Sequence, residues 1–220
     1  MPTTRADEDA VLLVRWKAGA RDAGSSLVRR HHRSIAGFFG NAVGDSERQD
    51  LTQQTFERIT RGIGEFRGDC SVKSYFFRVA RGVLVDHLRT RHCRDFDPLT
   101  RSVEDLGPTP SRIVVELGRT HMLLWCLRAL PMDAKQMLEL YYWHGCTAGE
   151  LRAIFDAPEG TIRRRVFDAK ARLRACLRDR EARGQSERVA LEQQLRELRG
   201  LLALGPVGVE DWPTGDPKGP

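Results

Sequence analysis

GCTAGELRAIFDAPEGTIRRRVFDAKARLRACL, residues 145–177, is the stretch that decides the fold of this chain. Its apolar residues recur at helical spacing in two blocks. In the first, from about residue 147 to 155, Leu151 and Ile154 share a face, and Thr147 followed three residues later by Glu150 makes a capping box. In the second, Ile162, Val166, Ala169 and Leu173 form the stripe that seeks a core. Pro158 suits the first helical position, where its missing N–H costs nothing. Arg163, Arg164, Phe167, Asp168 and Lys170 are left to look outward, and Arg163, Arg164 and Arg165 stand on the opening turns. A short helix, a tight break and an arginine-rich second helix read as a helix-turn-helix, a shape that enters a DNA major groove.

The rest of the chain bounds what such a motif serves. The 220 residues are enough for one large or two small domains, and the formal net charge of +6 favours a polyanionic partner. Five cysteines, Cys70, Cys93, Cys126, Cys146 and Cys176, are odd in number and scattered with no C-x-x-C pair. That pattern argues against a disulfide framework and for a reduced, cytoplasmic setting. The polar N-terminus and the lack of any apolar run of membrane-spanning length predict neither a signal peptide nor membrane insertion. His31-His32, Asp86-His87 and His144-x-Cys146 have no further partners at ligand spacing, so no metal and no cofactor is expected. With no glycine-rich phosphate loop and no nucleophile elbow, an enzyme is the weakest class.

Outward from the motif, the sequence predicts an all-α protein of two small helical domains joined by a flexible linker, with a C-terminal helical extension. Residues 9–92 lack proline and read as four helices: 9–18 with Val11, Leu12 and Trp16; 25–43 with Leu27, Val28, Ile35, Phe38 and Phe39; 46–61 with Leu51, Phe56 and Ile59; and 71–91. Ser46 is the expected cap of the third, and Gly62, Gly64 and Gly68 punctuate the approach to the fourth. Residues 93–112, with Pro98, Pro108 and Pro110, read as the linker, and residues 113–178 as the second helical unit. Leu191, Leu195, Leu198 and Leu202 make an amphipathic helix within 179–204 that is too short for a stable coiled coil. The Gly- and Pro-rich stretch 205–220, with its single Trp212, reads as a disordered tail.

Two further stretches carry chemistry. In DLTQQTF, residues 50–56, Asp50 shares a helical face with Gln53 or Gln54 while Leu51 and Phe56 turn toward the core. This polar face either docks another helical surface through side-chain hydrogen bonds or is simply solvated. In FRGDCSVKSYFFRVARGVLVDHLRTR, residues 66–91, Tyr75, Phe76 and Phe77 stand beside Arg67, Lys73, Arg78, Arg81, Arg89 and Arg91. Aromatics that stack bases beside cations that follow phosphates are the ingredients of a single-strand reader. Phe76, Val79, Val83 and Leu84 read as core, leaving Tyr75 as the aromatic expected at the surface.

The succession D-L-x-Q-x-T-F, then F-R-G-x-x-S, R-V-A-R and D-H-L-R, then L-P and P-E-G-T-I-x-x-R resembles RNA polymerase sigma factors of the sigma-70 family, more narrowly the extracytoplasmic-function group that keeps only regions 2 and 4. The likeness runs over about residues 9–178 in the family's order, and jointly these motifs are specific where each alone is not. It implies that Asp50, Gln53 and Gln54 dock on the β′ clamp helices of core RNA polymerase. It implies that the loop from Gly68 and the helix after it, with Ser71, Lys73, Tyr75, Arg78, Arg81 and Arg89, bind the non-template strand of the promoter −10 element and hold a flipped base. It implies that Thr161, Arg163, Arg164, Arg165, Phe167, Asp168 and Lys170 read the −35 element in promoter DNA, that the unit around them touches the β flap, and that an anti-sigma protein is a partner. The place of action would be the cytoplasm, on the nucleoid when in holoenzyme.

Departures from the family pattern bear on particular steps. Tyr75-Phe76 stands where relatives have Trp-Leu, and Gly82 where they often have Asn; glycine inside a helix costs about 1 kcal/mol relative to alanine. Arg152 replaces a small residue against the second helix of the motif and must snorkel or push the helices apart. Asp156 replaces the turn glycine, which aspartate tolerates in the left-handed conformation. Asp168 replaces a common Arg; it either accepts from cytosine N4 or pairs with Arg164 or Arg172. Two alternatives to a sigma factor follow: a helix-turn-helix regulator that works without polymerase, and a polymerase-binding adaptor with degenerate promoter readout. The leucine helix either covers a functional face until a partner releases it or is a solvated extension.

Overall fold

The computed structural model describes residues 5–40, 42–92, 97–102 and 118–182. Helices α1 (Arg5–Lys17), α2 (Arg21–Gly40), α3 (Asp45–Gly62) and α4 (Val72–His92) form the first unit, with one 3-10 turn at Ile63–Glu65. Helices α5 (Gly118–Arg128), α6 (Met132–Tyr142), α7 (Ala148–Phe155) and α8 (Glu159–Ala182) form the second. Among the described residues there is no strand, only an isolated bridge between Ser102 and Pro131, and no helix long and apolar enough to cross a membrane.

The first unit packs its rings inward. Leu27, Ile35, Phe38, Phe39, Leu51, Ile59, Phe76, Val83 and Leu84 are all essentially inaccessible. On α1 the buried side is Leu13 with Leu12 and Trp16 half-buried, whereas Val11, expected on that stripe, is exposed. The Trp16 indole lies so close to α2 that a Cβ on Gly24 would fall 2.5 Å from its Nε1, so the two helices can approach only over a glycine. Helix α3 is opened by Gly44, whose N–H donates to Glu47 Oε2 at 3.2 Å. Ser46 is therefore inside the first turn rather than the cap, because the Glu47 carboxylate already serves the end of the helix.

The second unit folds around Leu123, Leu127, Met137, Leu138, Leu140, Leu151, Ile154, Ile162, Val166, Ala169 and Leu173, so the stripe expected on the second helix of the motif is its core. Cys126 on α5 and Cys176 on α8 are joined in a disulfide, with Cα atoms 5.8 Å apart. This bond stands against the expectation that the cysteines form no disulfide framework. Residues 50 apart in sequence carry no spacing signal, and it is the packing of α5 on α8 that brings them within disulfide range. Cys70 and Cys146 are free thiols, and Cys93 lies outside the described residues.

Within the expected linker, residues 97–102 lie against the start of α6. Met132 N–H donates to the Arg101 carbonyl at 2.9 Å and Asp133 N–H to the Pro98 carbonyl at 3.0 Å, so residues 97–102 satisfy amides that the start of α6 leaves open. The leucine seam of residues 191–202 and the tail 205–220 lie outside the described residues.

Candidate functional site

Three surfaces carry the residues singled out by sequence. On α3, Leu51, Thr55 and Phe56 are buried, and Asp50, Gln53 and Gln54 are thereby turned to solvent on one face. Gln53 Nε2 donates to Glu57 Oε1 at 2.9 Å, and Asp50 and Gln54 are exposed beside it.

On α4 the helix starts at Ser71, whose Oγ accepts from the Ser74 N–H at 3.1 Å, an N-cap that aims the preceding loop. Gly68 in that loop sits at φ +77, a conformation open to glycine at little cost. Lys73 reaches Glu150 on α7 at 3.1 Å and the carbonyls of His144 and Gly145 at 3.4 Å each. Ser71 Oγ donates to the same Glu150 at 3.2 Å. Arg81 donates through Nη2 and Nε to Asp133 on α6 at 2.6 and 3.2 Å, and its guanidinium lies 4.9 Å from the centre of the Phe155 ring. Three of the expected strand readers are thus held by the second unit. Arg89 is exposed, and Arg78 lies half-buried over the Tyr75 ring at 5.6 Å.

Tyr75 itself is buried, which corrects its expected place at the surface. Its ring stacks on Phe66 at 4.4 Å, and its hydroxyl lies 3.1 Å from where a Cβ on Gly62 would stand. The reason is that α4 is covered on several sides: α2 and α3 take Phe76, the turn before α4 takes Tyr75, and α7 packs on a further side. Phe77 fills the joint, with its ring 5.8 Å from Phe38 and 4.7 Å from His144. Burial, reinforced by the Lys73 charge, pushes His144 down to about 3, so it is neutral, while burial pushes the Cys146 thiol up to about 12, so it is no nucleophile.

On the helix-turn-helix, the capping box forms: Thr147 N–H donates to Glu150 Oε2 at 2.9 Å and Glu150 N–H to Thr147 Oγ1 at 3.2 Å. Asp156 takes the left-handed conformation at φ 49, ψ 53, which turns the chain into α8. Ile162 N–H donates to the Pro158 carbonyl at 3.0 Å, so the proline caps α8 from one place ahead of the first helical position expected for it. Arg152 is exposed; it snorkels instead of separating α7 from α8. On α8, Arg163, Arg164, Phe167 and Asp168 face solvent, and Thr161 and Arg165 are half-buried. Arg163 is braced by Glu159 at 2.6 Å, whereas Asp168 lies 4.0 Å from Arg164, with both side chains largely exposed. Lys170 turns back over Tyr141 and Tyr142, 5.5 and 5.2 Å from their ring centres, so it lines the flank of the helix rather than its outer face.

Sequence reasoning missed Asp133, Glu150 in its second role, His144 and Phe155, which meet α4 from the other unit. No local pattern announces a partner on another domain.

The family description Sigma-70 region 2 fits residues 27–93, and Sigma-70, region 4 fits residues 126–175, together just over half of the chain. The chain is 26% identical over 172 residues to the ECF RNA polymerase sigma-E factor of Escherichia coli strain K12, covering 74% of this chain and 90% of that protein. It is 26% identical over 175 residues to the RNA polymerase sigma-H factor of Pseudomonas aeruginosa, covering 74% and 91%. The fold is similar to that of CnrH in complex with the cytosolic domain of CnrY, with TM-score 0.60 and 20% identity over 79% of this chain and 99% of the other. It is also similar to that of RpoE in complex with the anti-sigma factor NepR from Bartonella quintana, with TM-score 0.54 and 19% identity over 70% and 96%.

Proposed function

The chain belongs to the sigma-70 family of RNA polymerase sigma factors, in its extracytoplasmic-function group, and on that footing we propose that it binds core polymerase and directs promoter-specific initiation of transcription. It is no enzyme; the catalytic chemistry belongs to the polymerase. The observation that carries the reading is the presence, in one chain and in family order, of the exposed Asp50, Gln53 and Gln54 face on α3, the cationic α4 with its capped approach loop, and the arginine-bearing α8.

Each surface has its task. Residues 9–92 act as region 2: Asp50, Gln53 and Gln54 hydrogen-bond the β′ clamp helices, and Ser71, Lys73, Arg78, Arg81 and Arg89 hold the separated −10 strand. Lysine and arginine neutralise phosphates, and a braced helix start offers a fixed pocket for a base that has left the stack. Tyr75 contributes by shaping α4 from beneath. Residues 113–178 act as region 4: α8 enters the −35 major groove with Arg163, Arg164 and Arg165 on base edges and phosphates, Thr161 at its opening turn, Phe167 against thymine methyl groups and Asp168 toward cytosine N4. Lys170 contacts the backbone, and the helices beside α8 meet the β flap. The protein works in the cytoplasm, at the nucleoid when in holoenzyme, and an anti-sigma protein restrains it.

The test is reconstitution. Core RNA polymerase with this protein should start transcripts from a discrete set of genomic promoters, and Asp50→Ala should weaken core binding by about tenfold or more without loss of helicity. Sequence-specific duplex binding by the protein alone, with no affinity for core enzyme, would overturn the reading in favour of a regulator that works without polymerase.

A further inference from the structure

We propose that Glu159 is a positioning residue for base reading by α8: its carboxylate fixes the Arg163 guanidinium so that Arg163 reads a guanine, while Arg164, held more loosely, follows the phosphate backbone. The proposal rests on the reading above that α8 enters a major groove, and it divides between two neighbouring arginines a task that reading leaves to both. Glu159 Oε1 accepts from Arg163 Nε at 3.1 Å and from Arg163 Nη2 at 2.6 Å, so one oxygen bridges one edge of the guanidinium. Two donors on one acceptor fix the rotation of the group as well as its distance. A guanidinium carries its five N–H groups in a rigid fork, and with Nε and Nη2 turned to Glu159 the Nη1–Nη2 end points away from the carboxylate. Paired N–H groups at that spacing match O6 and N7 of guanine, the one base that sets two acceptors side by side in the major groove.

The next arginine is held differently. Arg164 Nε lies 4.0 Å from Asp168 Oδ2, beyond hydrogen-bond reach, and its side chain is 85% exposed against 48% for Arg163. An arginine that meets a base edge from many rotamers loses that freedom on binding, whereas one already braced has lost it in the folded chain. A phosphate accepts donors from many directions and carries no sequence information, so it suits the looser side chain. The start of α8 decides which arginine is braced. Asp156 in the left-handed conformation turns the chain, α8 begins at Glu159, and Arg163 is the arginine four residues on, where a glutamate on a helix meets a cation in its favoured order. A glutamate in the first turn also favours the helix dipole. That role alone would affect every promoter alike and leave base preference untouched.

The test uses holoenzyme reconstituted from core RNA polymerase and the full chain, transcribing templates randomised through the −35 element, with the sequences of the transcribed templates read out. Wild type should prefer guanine by about tenfold or more at one position, the discrimination of a single bidentate contact. Glu159→Ala should cut that preference to about twofold, leave every other position within about twofold of wild type and keep the helicity of the chain. Arg163→Ala should erase the same preference, and adding Glu159→Ala to it should make that position no worse, because the brace acts through the arginine. Glu159→Gln, whose amide oxygen still accepts, should stay within about threefold of wild type. Arg164→Ala should lower the salt slope of promoter binding by about 1 while the guanine preference persists. The proposal is overturned if Glu159→Ala keeps the guanine preference or weakens all positions equally, or if Arg164→Ala erases it. It is also overturned if Glu159→Ala loses a cytosine preference instead, which would mean that the carboxylate itself reads a base. A wild-type holoenzyme that starts no transcripts refutes the sigma reading and this inference together, whereas one that initiates while Glu159→Ala keeps its preference refutes the inference alone.

Discussion

The first unit is held together by rings packed edge to face and a buried ionic knot, the second by aliphatic side chains and a covalent bond. Phe38 meets Phe39 at 5.4 Å, Phe56 meets Phe76 at 6.1 Å, and His31 meets the same Phe76 edge-on at 5.1 Å. Beside them Asp9, buried, receives His31 Nε2 and Arg30 Nη1 at 2.7 Å each, which pins α1 to α2. In the second unit the Cys126–Cys176 bond ties the first helix to the last, and α6 turns polar residues toward covered positions. The difference teaches that the first unit closes its own core, whereas the second divides its stabilisation between a staple and a neighbour.

The largest effect that would break this comparison comes from the staple. Reduction, or Cys126→Ser, should cost the second unit about 4 kcal/mol, the chain-entropy value for a loop of this length. Calorimetry should then resolve a transition for the second unit that moves down while that of the first stays in place. A common shift of both would mean that the units unfold as one.

The ionic knot comes next. Burial raises the Asp9 pKa, but the His31 and Arg30 hydrogen bonds and charges outweigh it and hold the carboxyl below its ordinary value of 3.8. A depressed carboxylate pKa contributes stability that is full above 3.8 and is lost as pH falls through the lowered value. Asp9→Asn should cost the first unit about 2–3 kcal/mol at neutral pH and flatten its acid dependence in this window, read from thermal melts across pH. Gly24→Ala should follow at about 1–3 kcal/mol, because the new methyl overlaps the Trp16 indole, read from the thermal melt of the first unit.

The smallest effect runs the other way. A Cβ at Gly82 meets nothing within 4 Å, so Gly82→Ala should stabilise α4 by about 0.5–1 kcal/mol and raise the melting temperature of the first unit alone.

Much of this architecture could be read from the chain. Leu151, Ile154, Ile162, Val166, Ala169 and Leu173 are buried as their spacing demands, since helical periodicity is a local property. The Thr147–Glu150 box and the Asp156 turn are likewise local chemistry and took the form their residue types prescribe. Tyr75 was misplaced because three consecutive aromatics on one helix point in three directions, and only the neighbours decide which direction meets solvent. Ser46 lost the cap of α3 to the Gly44–Glu47 contact, a competition between adjacent candidates separated by small energies.

Residue order alone was enough for the four helices of the first unit, the helix-turn-helix, the division into two units and the exposure of Asp50, Gln53, Gln54, Arg163 and Arg164, because periodicity and caps act within a few residues. Contacts across long separations belonged to the folded chain: the meeting of Cys126 with Cys176, the burial of Tyr75 on Phe66, and the closure of Glu150 and Asp133 on Lys73 and Arg81. These depend on how helices stack, and stacking is set by the summed packing of many side chains rather than by any short pattern.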